Sequence, residues 1–188
     1  MGAKQGLEHV VDAAALADQS EDRLKIVLMG DGNQREDLER RAKGSRTIDI
    51  IDGVPESEFT DVLAAADVLL LHERPGVVEM RVPSKLTSYF AAGRPVLAAT
   101  GGRSTAAEEI RASGAGIVIE PGDPEALLEG MRSLASRPVS NEMGMRGQAY
   151  ARESLSEIDA LDAYRSWVDG LLKGSLTPLT SGPGTSKR

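Results

Sequence analysis

Cysteine is absent from the 188 residues, which excludes thiol catalysis, disulfide staples and thiolate zinc sites, and suits a reducing cytoplasm. Aromatic residues make up 3% of the chain, too few for the stacking platforms that hold single-stranded nucleic acid. A positive balance is lacking as well: the net charge is −7, the wrong sign for broad contact with a phosphate backbone. Nucleic acid is therefore not expected as a partner. No apolar run approaches the ~20 residues a membrane span needs, and Met1 to Gly6 have no signal-peptide character. What the chain does have is 40% hydrophobic residues, enough for one globular domain with its own core.

Short β-branched runs alternate with amphipathic stretches of helical length. Strands are expected at 25–29 (KIVLM), 47–51, 68–71, 95–99 and 116–119. The run 68–71 is apolar at every position, as a strand covered on both faces requires. Helices are expected at 5–18, 35–42, 56–65, 83–92, 105–111, 125–135, 141–152 and 156–172. Ser84 suits an N-cap and Gly93 a C-terminal stop. Residues 173–188 are rich in Ser, Thr, Pro and Gly and read as a disordered tail beyond a domain spanning 1–172. No repeat occurs at any period. The alternation predicts an α/β, doubly wound, Rossmann-like parallel sheet with helices on both faces.

Such sheets bind ligands at the carboxyl ends of their strands. The candidate loops are then 30–33, 53–55, 72–84 and 100–105. Two of them fall within a basic island: Arg74, Arg81, Lys85, Arg94 and Arg103 stand against one acid, Glu79, for a local charge of +4. Local positive charge in an acidic chain points to an anionic ligand, because distant charges are screened beyond about 10 Å; scattered solvated arginines are the alternative. His72 ends an apolar strand and reads as hydrogen-bonded structure rather than as a base, and His9 as packing or surface. Tyr164 and Trp167 read as packing groups. Glu108 and Glu109 either reach a ligand or form a helical surface.

Four segments in order resemble the C-terminal domain of family-4 retaining glycosyltransferases of the GT-B fold. They are Lys4-Gln5-Gly6-Leu7-Glu8, Leu28-Met29-Gly30-Asp31-Gly32 with Arg35-Glu36-Asp37-Leu38, Val82-Pro83-Ser84-Lys85-Leu86 through Ala91-Ala92-Gly93-Arg94-Pro95-Val96, and Pro121-Gly122-Asp123-Pro124-Glu125-Ala126-Leu127. The resemblance covers about residues 1–170. It implies a nucleoside-diphosphate-sugar donor site. Lys4, beside Gly2 in the opening loop, would neutralise the diphosphate. Backbone N–H groups at Ser84, Lys85 and Leu86 would offer the positive end of a helix dipole to the same phosphates. Arg81, Lys85 and Arg103 would add formal charge, and the loop at Val54 would hold the base. Fixed cations there would stabilise a departing nucleoside diphosphate without a metal, and no cofactor is implied.

Two departures are visible. The family places two glutamates eight positions apart, the second on the ribose hydroxyls; here those positions are Met80, beside Glu79, and Ser88. A serine cannot offer a bidentate carboxylate to a diol, so ribose is held differently or by Glu79. The strand expected before the opening loop also does not precede Met1. In the strand order 3-2-1-4-5-6 that strand is central, and its absence predicts two unpaired edges facing each other about 10 Å apart. The chain is therefore expected to behave as a fragment that transfers nothing alone. Its partners would be the donor, a missing N-terminal domain or a partner chain, and a peripheral membrane acceptor of exopolysaccharide or glycolipid assembly. A donor-binding subunit of a split transferase is the alternative. A nucleotide-sugar epimerase lacks an acid–base pair here, and a receiver-type domain leaves the basic island unexplained.

Overall fold

The computed structural model describes residues 1–20, 23–77, 84–135 and 137–154. Among the described residues, five parallel strands are interleaved with seven α-helices. Strand β1 (Ile26–Met29) pairs with β2 (Ile48–Ile51), with Ile26 opposite Ile48 and Met29 opposite Ile51. Strands β3 (Leu69–His72), β4 (Val96–Ala99) and β5 (Gly116–Ile119) form a second parallel set in that order. All four β4 residues are buried, as both-face coverage demands.

Alternation along β4 divides the core into two layers. Leu97 and Ala99 join Val10, Val11, Leu38, Leu127 and Leu134. These come from α1 (Glu8–Asp18), α2 (Arg35–Ala42) and α6 (Pro124–Ser133) and its C-cap. Val96 and Ala98 face the other way and join Leu86, Phe90 and Ile110, from α4 (Ser84–Ala91) and α5 (Thr105–Ser113). Helix α7 (Arg137–Ser154) covers this second layer, with Tyr150 edge-on to Phe90 at 5.9 Å. The first layer also takes Ile26, Leu28 and Ile48, so α1 and α6 tie both strand sets together. Helix α3 (Glu56–Ala65) buries only Leu63.

Among the described residues β1 pairs with β2 alone and β3 with β4 alone. Among these residues the sheet is thus parted between β1 and β3. A slot of about 970 Å³ opens there.

Local chemistry explains the element ends. Asp123 accepts a hydrogen bond from the Ala126 N–H at 2.9 Å and Pro124 opens α6, a favoured pairing of cap and first residue. Boundaries differ from expectation in a few places. The first helix starts at Glu8 rather than residue 5, because Ala3–Gln5 forms a 3-10 turn closed by Gly6 in the left-handed region at φ +59°. Ser84 is the first residue of α4 rather than its cap. Strand β3 runs one residue later than expected, and α7 begins at Arg137 instead of 141. The helix expected at 156–172, with Tyr164 and Trp167, and the tail 173–188 lie outside the described residues.

Candidate functional site

The opening turn is bolted to the carboxyl end of β3. The Arg74 N–H donates to the Lys4 carbonyl at 2.8 Å. His72 Nδ1 donates to the Gln5 carbonyl at 2.7 Å. A Cβ on Gly6 would lie 3.0 Å from the Arg74 Cα, so both its positive φ and this close approach require glycine. The Arg74 guanidinium meets Glu8 Oε1 at 2.6 Å. Burial raises the Glu8 carboxyl, but the Arg74 bond and charge outweigh it and leave the pKa below its ordinary value. Gly2 begins the turn, with its N–H donating to Gln5 Oε1 at 2.9 Å. The Gln34 N–H donates to the Met1 carbonyl at 3.3 Å, and the Met1 amino group contacts the Asp31 carbonyl. The lysine loop therefore spans the carboxyl ends of β1 and β3.

The neighbouring loops are fixed by polar contacts. Arg35 donates to the Gly30 carbonyl at 2.8 Å and pairs with Asp52 at 2.8 Å, joining the loops after β1 and β2. Val54 sits half-buried just before α3. After β3, Glu73 is buried at 7% exposure; its N–H donates to the Ala99 carbonyl at 2.9 Å. Its carboxylate accepts the Thr100 hydroxyl. Thr100 lies 2.9 Å from the Ser104 hydroxyl, which caps α5 by accepting from the Ala107 N–H at 3.1 Å. A buried carboxylate thus braces the loop Gly101–Gly102–Arg103, leaving Arg103 exposed on it.

The structure sorts the candidate residues. Lys4 and Gly2 occupy the turn just described. Ser84 and Lys85 are exposed in the first turn of α4, whereas the Leu86 side chain is fully buried in the core and Ser88 is half-buried. Only backbone groups of Leu86 belong to the helix start. Lys85 is exposed by area yet runs along the slot wall, and desolvation lowers its pKa. Glu79 and Arg81 lie outside the described residues. The basic island disperses more than its sequence suggests. Arg74 is paired with Glu8, and Arg94 donates to the Ala64 carbonyl at the amino end of β4.

His72 is buried; burial depresses its pKa, and its ring tilts against His9 at 5.9 Å. It acts as a structural donor, in line with the sequence reading. Glu109 accepts the Tyr150 hydroxyl at 2.8 Å and so serves helix packing; burial and this bond raise the Tyr150 pKa to about 12. Two features escaped the sequence: the Glu73–Thr100–Ser104 chain and the Glu8–Arg74 pair. An acid directly after an apolar strand was the available signal for Glu73, because such a residue sits where a sheet meets its loops.

Comparison with known proteins adds a lineage to this geometry. Residues 1–137 match the family described as glycosyl transferases, group 1. The glycosyl transferase WcaI of Escherichia coli (strain K12), named for colanic acid biosynthesis, is 26% identical over 174 residues, covering 90% of this chain and 41% of WcaI. HepE of Anabaena, solved in complex with UDP-glucose, superposes with a TM-score of 0.72 at 16% identity, over 90% of this chain and 46% of HepE. The C-terminal domain of the group 1 protein LpcC from Francisella tularensis superposes with a TM-score of 0.67 at 15% identity, over 84% of this chain and 83% of that domain. These likenesses below 25% speak for the fold. The chain spans less than half the length of the curated relatives, 41% and 44%. Among the described residues no helix is long and apolar enough to cross a membrane.

Proposed function

Because the chain belongs to the glycosyl transferases group 1 family, we propose that it is the donor half of a retaining glycosyltransferase, binding a nucleoside-diphosphate sugar. One observation carries this reading. The opening turn with Lys4 is held on the carboxyl end of β3 by the Arg74 N–H and His72 Nδ1, the edge at which a parallel α/β sheet takes its ligands. HepE, which has this fold, was solved with UDP-glucose, and that supports a nucleotide-sugar ligand here.

In this reading the pyrophosphate lies between Lys4, beside Gly2, and the first turn of α4. There Ser84, Lys85 and Leu86 direct N–H groups outward. Arg103 and Arg81 add charge, the backbone at Val54 receives the base, and Glu79 or Ser88 meets the ribose. Cations held in place by the fold stabilise the leaving diphosphate without calling on a metal. Acceptor binding and transfer belong to polypeptide beyond this domain, a second domain or a partner chain. The glycan is assigned to exopolysaccharide or glycolipid assembly, and a membrane-borne acceptor brings the enzyme to the bilayer surface from the cytoplasmic side.

Calorimetric titration with UDP, CDP, GDP and ADP tests the reading. One of them should bind, and Lys4→Ala and Lys85→Ala should each weaken it about tenfold or more, the worth of one charge-assisted contact. Undiminished affinity in both variants would remove the site from this edge.

A further inference from the structure

Consecutive residues at the end of β3 hold two different loops of the ligand edge. His72 Nδ1 and the Arg74 N–H fasten the opening turn, at the Gln5 and Lys4 carbonyls, and the Arg74 guanidinium reaches Glu8 on α1. Glu73, between them, sends its side chain to the loop after β4 instead, as alternation along an extended chain requires. Burying a carboxylate is costly unless hydrogen bonds replace its water. Here the replacement comes from that loop.

The polar chain that results runs in one direction. A carboxylate has no proton to give, so the Thr100 hydroxyl donates to Glu73. That uses the single hydroxyl proton of Thr100, so Ser104 is the donor in their 2.9 Å contact. The Ser104 oxygen in turn accepts the Ala107 N–H of α5 at 3.1 Å. The backbone follows the same course. The Thr100 N–H donates to the Ile119 carbonyl at 3.1 Å, and the Ser104 N–H closes the turn on the Gly101 carbonyl at 2.8 Å. From the other side the Arg111 guanidinium donates to the Gly102 carbonyl at 2.6 Å. A Cβ on Gly102 would lie 3.2 Å from Glu120 Oε1. The turn is gripped between Glu73 and Arg111, and Arg103 is its exposed residue.

We infer that Glu73 is a positioning residue of the nucleotide-sugar site: through Thr100 and Ser104 it fixes the turn that aims Arg103 at the bound diphosphate. The inference rests on the donor-site reading and adds to it a residue that touches no ligand. Without Glu73 the Thr100 hydroxyl, 0% exposed, loses its acceptor. An unmet buried donor is unfavourable. It finds a new partner only by turning, which draws Ser104 away from the start of α5 and lets the turn shift. Hydrogen bonds to a charged acceptor hold geometry more firmly than neutral ones, and this one ends on the loop that carries the cation.

Calorimetric titration of the full chain with UDP, CDP, GDP and ADP tests the inference, because stoichiometry reports the folded fraction and the dissociation constant reports the site. With the nucleotide that the unsubstituted chain binds, Arg103→Ala should weaken binding about tenfold. Glu73→Ala should weaken it about three- to tenfold. Glu73→Gln, whose amide oxygen still accepts the Thr100 hydroxyl, should stay within about twofold. Thr100→Val severs the same chain with little change of shape and should match Glu73→Ala. Combining Glu73→Ala with Arg103→Ala should leave about the affinity of Arg103→Ala alone, because one residue acts through the other. A purely structural role lowers the stoichiometry and leaves the dissociation constant unchanged. That result, or losses that add in the double variant, would overturn the inference. Binding that ignores both Glu73→Ala and Thr100→Val removes this assignment alone. Failure of every nucleotide to bind the unsubstituted chain removes the donor reading, and this assignment with it.

Discussion

The chain contains two phenylalanines, and the structure gives them opposite fates. Phe90 is 0% exposed among Leu71, Leu86, Val96 and Ile110, edge-on to Tyr150 at 83°. A buried aromatic hides about 150–250 Å². Truncation to alanine forfeits most of that area, about 3–4 kcal/mol at ~25 cal/mol per Å². Loss of the ring pair adds roughly 0.5–1.5 kcal/mol, which agrees with the ~3–5 kcal/mol typical of core Phe→Ala changes. Phe59 stands on the wall of the slot at 37% exposure, and truncating it enlarges a space that is already open. No new cavity forms, and about 1 kcal/mol is expected. At roughly 2–4 °C per kcal/mol for a chain of this size, Phe90→Ala should lower Tm by about 6–20 °C and Phe59→Ala by about 2–4 °C. Thermal melting followed by circular dichroism or calorimetry measures both. Equal losses, or a larger loss at Phe59, would refute the placement of core and slot.

Stability should fall with acid through His72. Burial holds its folded pKa below the ordinary value of 6.5, so the unfolded chain takes up the proton first. The contribution is full above about pH 6.5 and declines as pH falls below it toward the folded pKa. His72→Asn, which keeps a donor for the Gln5 carbonyl, should flatten the slope of Tm between pH 7 and 5; an unchanged slope would exclude His72 as its source. Gly116→Ala places a methyl against the Val96 carbonyl, backbone of the central strand β4. The strands must separate to admit it, so a loss of about 2 kcal/mol or more is expected in denaturant unfolding, and a neutral result would contradict the β4–β5 geometry.

Much of the fold was legible in local pattern. Short apolar runs marked the strands by length and composition, because where both faces are covered, as along β4, alternation is lost. Asp123-Pro124 and Gly93 marked helix ends through chemistry that acts within a few residues. Long-range pairing was harder to read. Arg74 counted toward the basic island, yet it pairs with Glu8, 66 positions away in sequence. Glu73 drew no reading from the sequence, and it is buried against Thr100. Arg94 fell in the same stretch of sequence as Lys85 and Arg103, whereas the start of β4 carries it to the amino end of the sheet.

The central claim is that a pyrophosphate bridges the opening turn and the first turn of α4. Hydrogen exchange of the chain with and without UDP, CDP, GDP or ADP at saturating concentration tests it most directly. Slowed exchange in residues 2–7 and 84–88 together, from one nucleotide and in proportion to its occupancy, is the predicted result. Protection confined to residues 26–29 and 69–72, or an unchanged pattern with every nucleotide, would contradict it.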